Sequence, residues 1–347
     1  MSNLIVVLAV LLSFGLLIVG HEFGHFILAK LNGVKVEEFA IGMGPLLFKI
    51  KGKETLYSIR LLPIGGYVKM LGEYEESDES VSNYEKERAY IFKNPFRKLS
   101  IILAGPVMNF IIAIVIFCGL NLTNGYVTTI VKEVEKGSPA ELAGIEIGDK
   151  MIAINSKKFL NWNEFLFTLN TTQNKEDMVL TILRDGRQID LNVKPEINDN
   201  SIKIGIAPEY VKSPGFFEGI LNGIKDTFSE IKQVLYSFGM LITGKASFKD
   251  LSGPVTIFKI SGKAAKAGLP QLLKFTAFLS VNLGIFNLIP FPALDGGAVI
   301  VNLIEAISRK RVSQDILSKI NFVGFAILIV LLIAVTFKDI FFPVKLQ

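Results

Sequence analysis

The stretch Val19-Gly20-His21-Glu22-Phe23-Gly24-His25-Phe26 holds both histidines of the chain, four residues apart, with a glutamate directly after the first. On a helix, positions i and i+4 share one face about one turn apart, so His21 and His25 can aim at a common metal ion. Glu22 follows the first of them and can reach a water at that metal. This is the H-E-x-x-H arrangement, in which two imidazoles ligate zinc and the carboxylate acts as general base.

The surroundings of the motif are as informative as the motif. From Leu4 to Gly20 the only polar side chain is Ser13, and apolar character resumes through Phe26-Ile27-Leu28-Ala29, so the segment is long enough to span a bilayer. Ionisable groups inside such a segment are costly, and by default they are functional. The N-terminus lacks the positively charged region of a signal peptide, and its apolar run continues into the histidines. A retained span is therefore expected.

Half of the 347 residues are hydrophobic, which fits an integral membrane protein with room for one soluble domain. The net charge of +5 comes without a basic stripe interleaved with aromatics, which argues against nucleic acid as a partner. The single cysteine, Cys118, excludes an intrachain disulfide.

Four apolar segments qualify as spans: Leu4 to Ala29, Leu99 to Leu120, a long interrupted segment from Phe275 to Ile307, and Ile320 to Phe337. Lys30, Lys35, Lys93, Arg97 and Lys98 flank the first connection, and Arg309, Lys310, Arg311 and Lys319 crowd the third. Both connections are expected in the cytoplasm, with the termini and the large second connection outside. Within the first connection, Phe48 to Lys51 and Tyr57 to Arg60 alternate apolar and polar around Lys51-Gly52-Lys53-Glu54, which predicts a β-hairpin. Apolar pieces 39–47 and 61–70 flank it, punctuated by glycines and prolines, and such strands can offer an edge to an extended peptide. The acidic stretch 73–87 reads as a solvated loop.

Residues 125–210 read as a soluble α+β domain. Strands are expected over 127–134, after a turn within 147–155 and in a hairpin around Asp185-Gly186, with helices after Gly137-Ser138-Pro139 and over 162–169. Residues 211–274 read as amphipathic connecting helices, with an apolar stripe from Phe217 to Phe238 that can lie on the membrane or pack the soluble domain onto the spans.

A hydrolytic zinc site usually takes three protein ligands and leaves one position open. With no third histidine, the remaining ligand is a carboxylate or Cys118. Asp295 is the strongest candidate, ahead of Glu305 and Cys118. It sits in Asn287-Leu288-Ile289-Pro290-Phe291-Pro292-Ala293-Leu294-Asp295-Gly296-Gly297, where two prolines must break the helix. Irregular backbone at membrane depth belongs beside a cavity or inside protein. Glu305 reads instead as an i,i+4 partner of Arg309. Asn287 can donate to a developing oxyanion, pin a substrate backbone or cap a helix.

Taken together, H-E-F-G-H at 21–25, P-I-G-G-Y-V-K-M at 63–70, F-R-K-L-x-x-x-x-A-G-P-x-x-N at 96–109, S-G-P-V at 252–255 and N-L-I-P-F-P-A-L-D-G-G at 287–297 resemble the site-2 protease family. The similarity runs over nearly the whole chain and is nearest to the bacterial regulator of sigma-E protease branch. Residues 137–155 are similar to a bacterial PDZ domain. The resemblance implies a polytopic α-helical membrane protein of about four transmembrane helices in the bacterial cytoplasmic (inner) membrane. Helices one and two would occupy 1–124, with a membrane-associated β-hairpin at about 39–70. An extracytoplasmic PDZ domain at 125–210 and helices three and four within 275–347 would follow. It further implies Zn2+ on the cytoplasmic side, ligated by His21, His25 and Asp295, with Glu22 catalytic. Substrate contacts would come from Asn287, Pro290 and Pro292, and from Gly65 and Gly66 in the hairpin. The implied substrates are single-span membrane proteins, such as a shortened anti-sigma factor or a remnant signal peptide. A peptide or protein C-terminus is the implied PDZ ligand. The best-known members of that branch carry two PDZ domains, and here one is found.

Two other classes compete. A non-enzymatic adaptor would lack the catalytic carboxylate or close the metal with a fourth ligand, and Glu22 is present. A metal transporter would string ionisable residues across several spans, and the second and fourth of these spans have none.

Overall fold

The computed structural model describes residues 3–73, 83–172, 177–198, 201–245 and 252–342. In chain order they form α1 (Asn3–Leu31), β1 (Val36–Lys51), β2 (Leu56–Met70), a short α2 (Asn83–Arg88) and α3 (Pro95–Asn124). There follow β3 (Tyr126–Val134), α4 (Pro139–Leu142), β4 (Lys150–Ile154), β5 (Lys157–Lys158), α5 (Trp162–Thr171), β6 (Met178–Arg184) and β7 (Arg187–Val193). The chain continues through β8 (Glu196–Asn198), β9 (Ser201–Lys203), β10 (Ile206–Val211), α6 (Phe216–Ile242), α7 (Pro254–Ala267), α8 (Leu269–Leu288), α9 (Asp295–Ser308) and α10 (Gln314–Phe341). Most of the acidic stretch 73–87 lies outside the described residues. The chain divides into two compact units, one of residues up to 113 and from 239 onward, the other of residues 114–238.

Among the described residues, four helices are long and apolar enough to cross a membrane: Leu4–Leu31, Pro95–Asn124, Leu269–Leu288 and Asp315–Phe341. Each exceeds the expected span at one or both ends. The third differs most, because the interrupted segment begins at Leu269 and resolves into α8, the irregular residues 289–294 and α9. The second extends over Arg97 and Lys98, and the fourth over Asp315, Lys319, Lys338 and Asp339, so neither is free of ionisable groups. Asp339 is buried and accepts from the Thr256 amide at 2.9 Å, tying α10 to the start of α7.

In the first unit, α1 and α3 meet through small residues. A side chain added at Gly24 would stand 2.2 Å from the Ala104 carbonyl oxygen, so the backbones approach as closely as membrane helix pairs allow. The predicted hairpin is part of a larger sheet, because β1 and β2 both bend back on themselves. Phe39 pairs with Val68 on one side and Tyr57 on the other, giving four rungs in the order 66–70, 36–41, 56–60, 46–51. The corners are glycines in the left-handed region, including Gly42 (φ 86°) and Gly65 (φ 81°), a conformation that side chains resist. Segment 66–70 is left as an edge. Met43, Leu47, Phe48 and Leu62 are exposed on this sheet, an apolar surface suited to lipid.

At the end of the spans where the first connection lies, two contacts join it to the third. Lys98 pairs with Glu305 at 3.2 Å, and the Arg311 guanidinium lies 4.9 Å from the centre of the Phe92 ring. The two basic connections therefore share one end.

The second unit is built on an antiparallel sheet with strand order β10-β3-β4-β6-β7, β5 pairing with β4. Alternating residues of these strands bury Val131, Met151, Ile154, Leu180 and Ile182 against Phe165 of α5. Asn161 caps α5 by accepting from the Glu164 amide at 2.9 Å, while Glu164 accepts from the Leu160 amide at 2.8 Å, a reciprocal cap. Asp185 (φ 49°) and Gly186 (φ 77°) make the left-handed two-residue turn between β6 and β7. Helix α6 packs on the 114–124 part of α3, where Gly223 leaves no room above Cys118, and Asp226 accepts from Asn121 and Asn161.

The Gly-Asp pair at 148–149 has a structural role. Buried Asp149 takes two bonds of 2.7 Å from Arg184 and one of 2.8 Å from the Glu146 amide. Burial pushes its carboxyl up, but these donors outweigh burial and hold it below the ordinary 3.8. A carboxyl lowered by folding contributes stability that is present above the unfolded value and is lost as pH falls through the folded one. Asp149→Asn is therefore expected to cost about 2 kcal/mol at neutral pH, less than a fully buried pair because Arg184 is partly exposed. Hydrogen exchange of the β4 and β6 amides in the full-length protein measures it. The parent should lose protection as pH falls below 3.8, and the variant should show no such step.

Candidate metal centre

The first helix carries His21 and His25 on one face, and α9 starts at Asp295, where the irregular segment after α8 ends. Gly296 and Gly297 make that start possible: side chains there would stand 2.2 Å and 2.4 Å from the carbonyl oxygens of Ile289 and Phe291. Asn321 of α10 fixes the segment by accepting from the Ala293 amide at 3.1 Å. The Asp295 carboxylate is thus delivered to the two imidazoles by a loop folded back on its own helix.

His21 Nε2 and His25 Nε2 are 3.2 Å apart, and Asp295 Oδ2 stands 3.2 Å and 3.5 Å from them. Ligands about 2.0–2.1 Å from a tetrahedral zinc stand about 3.3–3.4 Å from each other, so the three atoms have the separations of one face of that tetrahedron. One hydrogen bond points the same way. His25 Nδ1 lies 2.8 Å from the Ile101 carbonyl oxygen, an acceptor that holds a proton on this nitrogen and leaves Nε2 as the atom to face a metal. Asp295 Oδ2 is buried without a hydrogen-bond partner. Acceptors converging in this way suit a cation between them. Among the described residues this is the one group of three such side chains able to hold a metal ion.

The supporting shell comes from α3. A side chain at Gly105 would lie 2.3 Å from His25 Nε2, so glycine is what lets this helix close over the imidazoles. Asn109 is fully buried with its amide nitrogen 3.1 Å from His21 Nδ1 and its Oδ1 unpartnered. When His21 Nε2 faces a metal, Nδ1 carries the proton, and a half-turn of the Asn109 carboxamide supplies the acceptor. The A-G-P-x-x-N stretch carried no assigned role in the sequence. A lone asparagine in an apolar span was the available signal.

Glu22 and Asn287 line the same cavity of about 1130 Å³ as the three ligand candidates. Gly66 lies against Glu22, since a side chain there would be 3.1 Å from Glu22 Cγ, so the edge 66–70 borders the centre. Asn287 Nδ2 is 3.5 Å from His21 Nε2. Gly65 turns toward Met43 instead, Pro290 is exposed, and Pro292 packs on Gly324 of α10. Cys118 donates to the Ile220 carbonyl. Glu305 departs from the expected pairing with Arg309: Arg309 ends α9 in the left-handed region (φ 54°), and Glu305 takes buried Lys98 instead. An enclosed lysine needs a counter-charge more than an exposed arginine does.

The profile of peptidase family M50 matches residues 9–331. The chain belongs to peptidase family M50. A Clostridium acetobutylicum protein, provisionally named a zinc metalloprotease, is 46% identical over 348 residues, covering 99% of this chain and 100% of the relative. The zinc metalloprotease RasP of Geobacillus kaustophilus is 32% identical over 412 aligned positions, covering 96% of this chain and 97% of its own. That alignment is longer than the 347 residues here, so RasP contains segments without a counterpart in this M50 peptidase. With its four apolar helices, this member of the family is an integral membrane metalloprotease.

Proposed function

We propose that this M50 peptidase is an intramembrane zinc protease that cuts a peptide bond within the transmembrane segment of a single-span protein. The supporting observation is the convergence of His21 Nε2, His25 Nε2 and Asp295 Oδ2 within 3.5 Å of one another. These residues hold the zinc. Bound there, the metal supplies Lewis acidity, which polarises a carbonyl and acidifies water.

The chain's own groups do the rest. Glu22 takes the proton of the attacking water and passes it to the leaving amine. A helical substrate hides its carbonyls and must unwind before it is cut. The edge 66–70 pairs with the unwound segment, and Gly66 keeps its approach to Glu22 free of side chains. Asn287 donates to the carbonyl oxygen as charge develops on it.

The second unit is a PDZ domain. Its β10 is an edge strand, and a cavity of about 640 Å³ lies between residues 204–207 and Trp162, Phe165 and Leu169 of α5. An extended chain end fits such an edge by strand addition. The protein sits in the bacterial cytoplasmic membrane with the metal toward the cytoplasm and the PDZ domain outside, the orientation its lysine and arginine distribution favours. Its substrates are shortened anti-sigma factors or remnant signal peptides.

The test is cleavage of a tagged single-span reporter by the purified protein in detergent. A zinc chelator should abolish the cut product and added zinc should restore it. Cleavage that persists after the metal content has been shown to be nil would exclude the proposal.

A further inference from the structure

We propose that Lys98 and Glu305 form a latch that fixes the rotation of α9 and so keeps the Asp295 carboxylate aimed at the metal. The inference rests on the ligand assignment made above. On α9, Asp295, Ala298, Asn302 and Glu305 are spaced i, i+3, i+7 and i+10, within an arc of roughly 80°. With Lys98, Ile101 and Ile102 of α3, this face lines the cavity that contains the metal centre.

A ligand at the first residue of a helix is only as well aimed as the helix itself. Helix α9 is preceded by irregular backbone and followed by left-handed Arg309, so neither end is held by a continuing helix. Its packing on α8 is non-directional and tolerates a small rotation. The Lys98–Glu305 pair does not. Its 3.2 Å bond joins side chains only 8% and 13% exposed, and Lys98 Nζ also lies 5.6 Å from the centre of the Tyr90 ring. Glu305 Oε1 accepts from the Val312 amide at 3.0 Å, so one carboxylate ties α9 to α3 and to the turn before α10. An enclosed ion pair has its best-attested use in setting register, which is the use made of it here. Lys98 lies one turn before Ile101, whose carbonyl holds His25. The latch therefore connects the helix that supports the imidazoles with the helix that carries the carboxylate.

Lys98 and Glu305 are positioning residues, and metal release reads their role independently of activity. The full-length protein is purified in detergent with zinc bound, and transfer of zinc to a chromogenic chelator is timed alongside a thermal melt. Lys98→Met and Glu305→Gln should release zinc about tenfold faster, the lower range for loss of an outer-shell partner. The exchanged pair, Lys98→Glu with Glu305→Lys, restores the ion pair but not the bond from the Val312 amide, and should release zinc more slowly than either single variant and faster than the parent. Release at the parental rate from either folded single variant, or an exchanged pair no slower than the single variants, overturns the latch. Should the single variants not fold, Glu305→Asp keeps the charge but shortens the arm. It must release zinc faster than the parent, and parental release overturns the proposal. If His21→Ala and Asp295→Ala also release zinc at the parental rate, the ligand assignment has failed. If those two lose zinc and the latch variants do not, the latch alone has failed.

Discussion

Glu22→Gln is expected to keep the zinc and to lower cleavage by about 10²–10⁴-fold, the usual contribution of a positioned acid–base group. The carboxamide has nearly the shape of the carboxylate, so it fits the space that Gly66 leaves beside Glu22 Cγ and meets no new bulk. The three candidate ligand atoms belong to other residues, so metal content should equal that of the parent. What the variant lacks is a group able to take a proton from water. Reporter cleavage and zinc content measured on one preparation separate these effects. Cleavage near the parental rate at full metal occupancy would remove Glu22 from the mechanism, whereas lost zinc would make it a ligand or a structural support.

The spans were legible because a bilayer demands long apolar runs, and the break at Pro290 and Pro292 because proline cannot continue a helix. The start of the third span was missed, since Gln271 and Lys274 dilute the apolar pattern over the first turns of α8. Alternation along 48–51 and 57–60 predicted strands. It could not say that both strands fold back to make four rungs, because period-two patterning fixes which face is buried and not which neighbour pairs. The metal centre divides along the same line. His21 and His25 are local and follow from helical spacing. Asp295 was one of three possible third ligands, because a contact across most of the chain leaves no periodic trace. Lys98 and Glu305 are 207 residues apart and share no pattern at all. Arg309, the local partner that spacing offered Glu305, lost to Lys98 because enclosure raises the need for a counter-charge.

Asp295→Ala should weaken zinc binding by more than about 100-fold, beyond the 10–100-fold typical of outer-shell changes, and cleavage should fall with it. Two causes act together. The site loses the one anion among its three candidate ligands, leaving a doubly charged ion with two neutral imidazoles in a poorly solvated place. The first residue of α9 also no longer ties that helix to α1. The competing ligands make contrasting predictions: Glu305 already engages Lys98 and the Val312 amide, and the Cys118 thiol donates to Ile220. Cys118→Ala should therefore keep zinc at the parental affinity, and Glu305→Gln should lose it only through the modest change in release expected of the latch variants. Competition against a chelator of known affinity ranks the three variants. If Asp295→Ala bound zinc as tightly as the parent while Glu305→Gln or Cys118→Ala lost it, the carboxylate at the start of α9 would have no part in holding the metal. The loop that folds back to deliver it would then need another explanation.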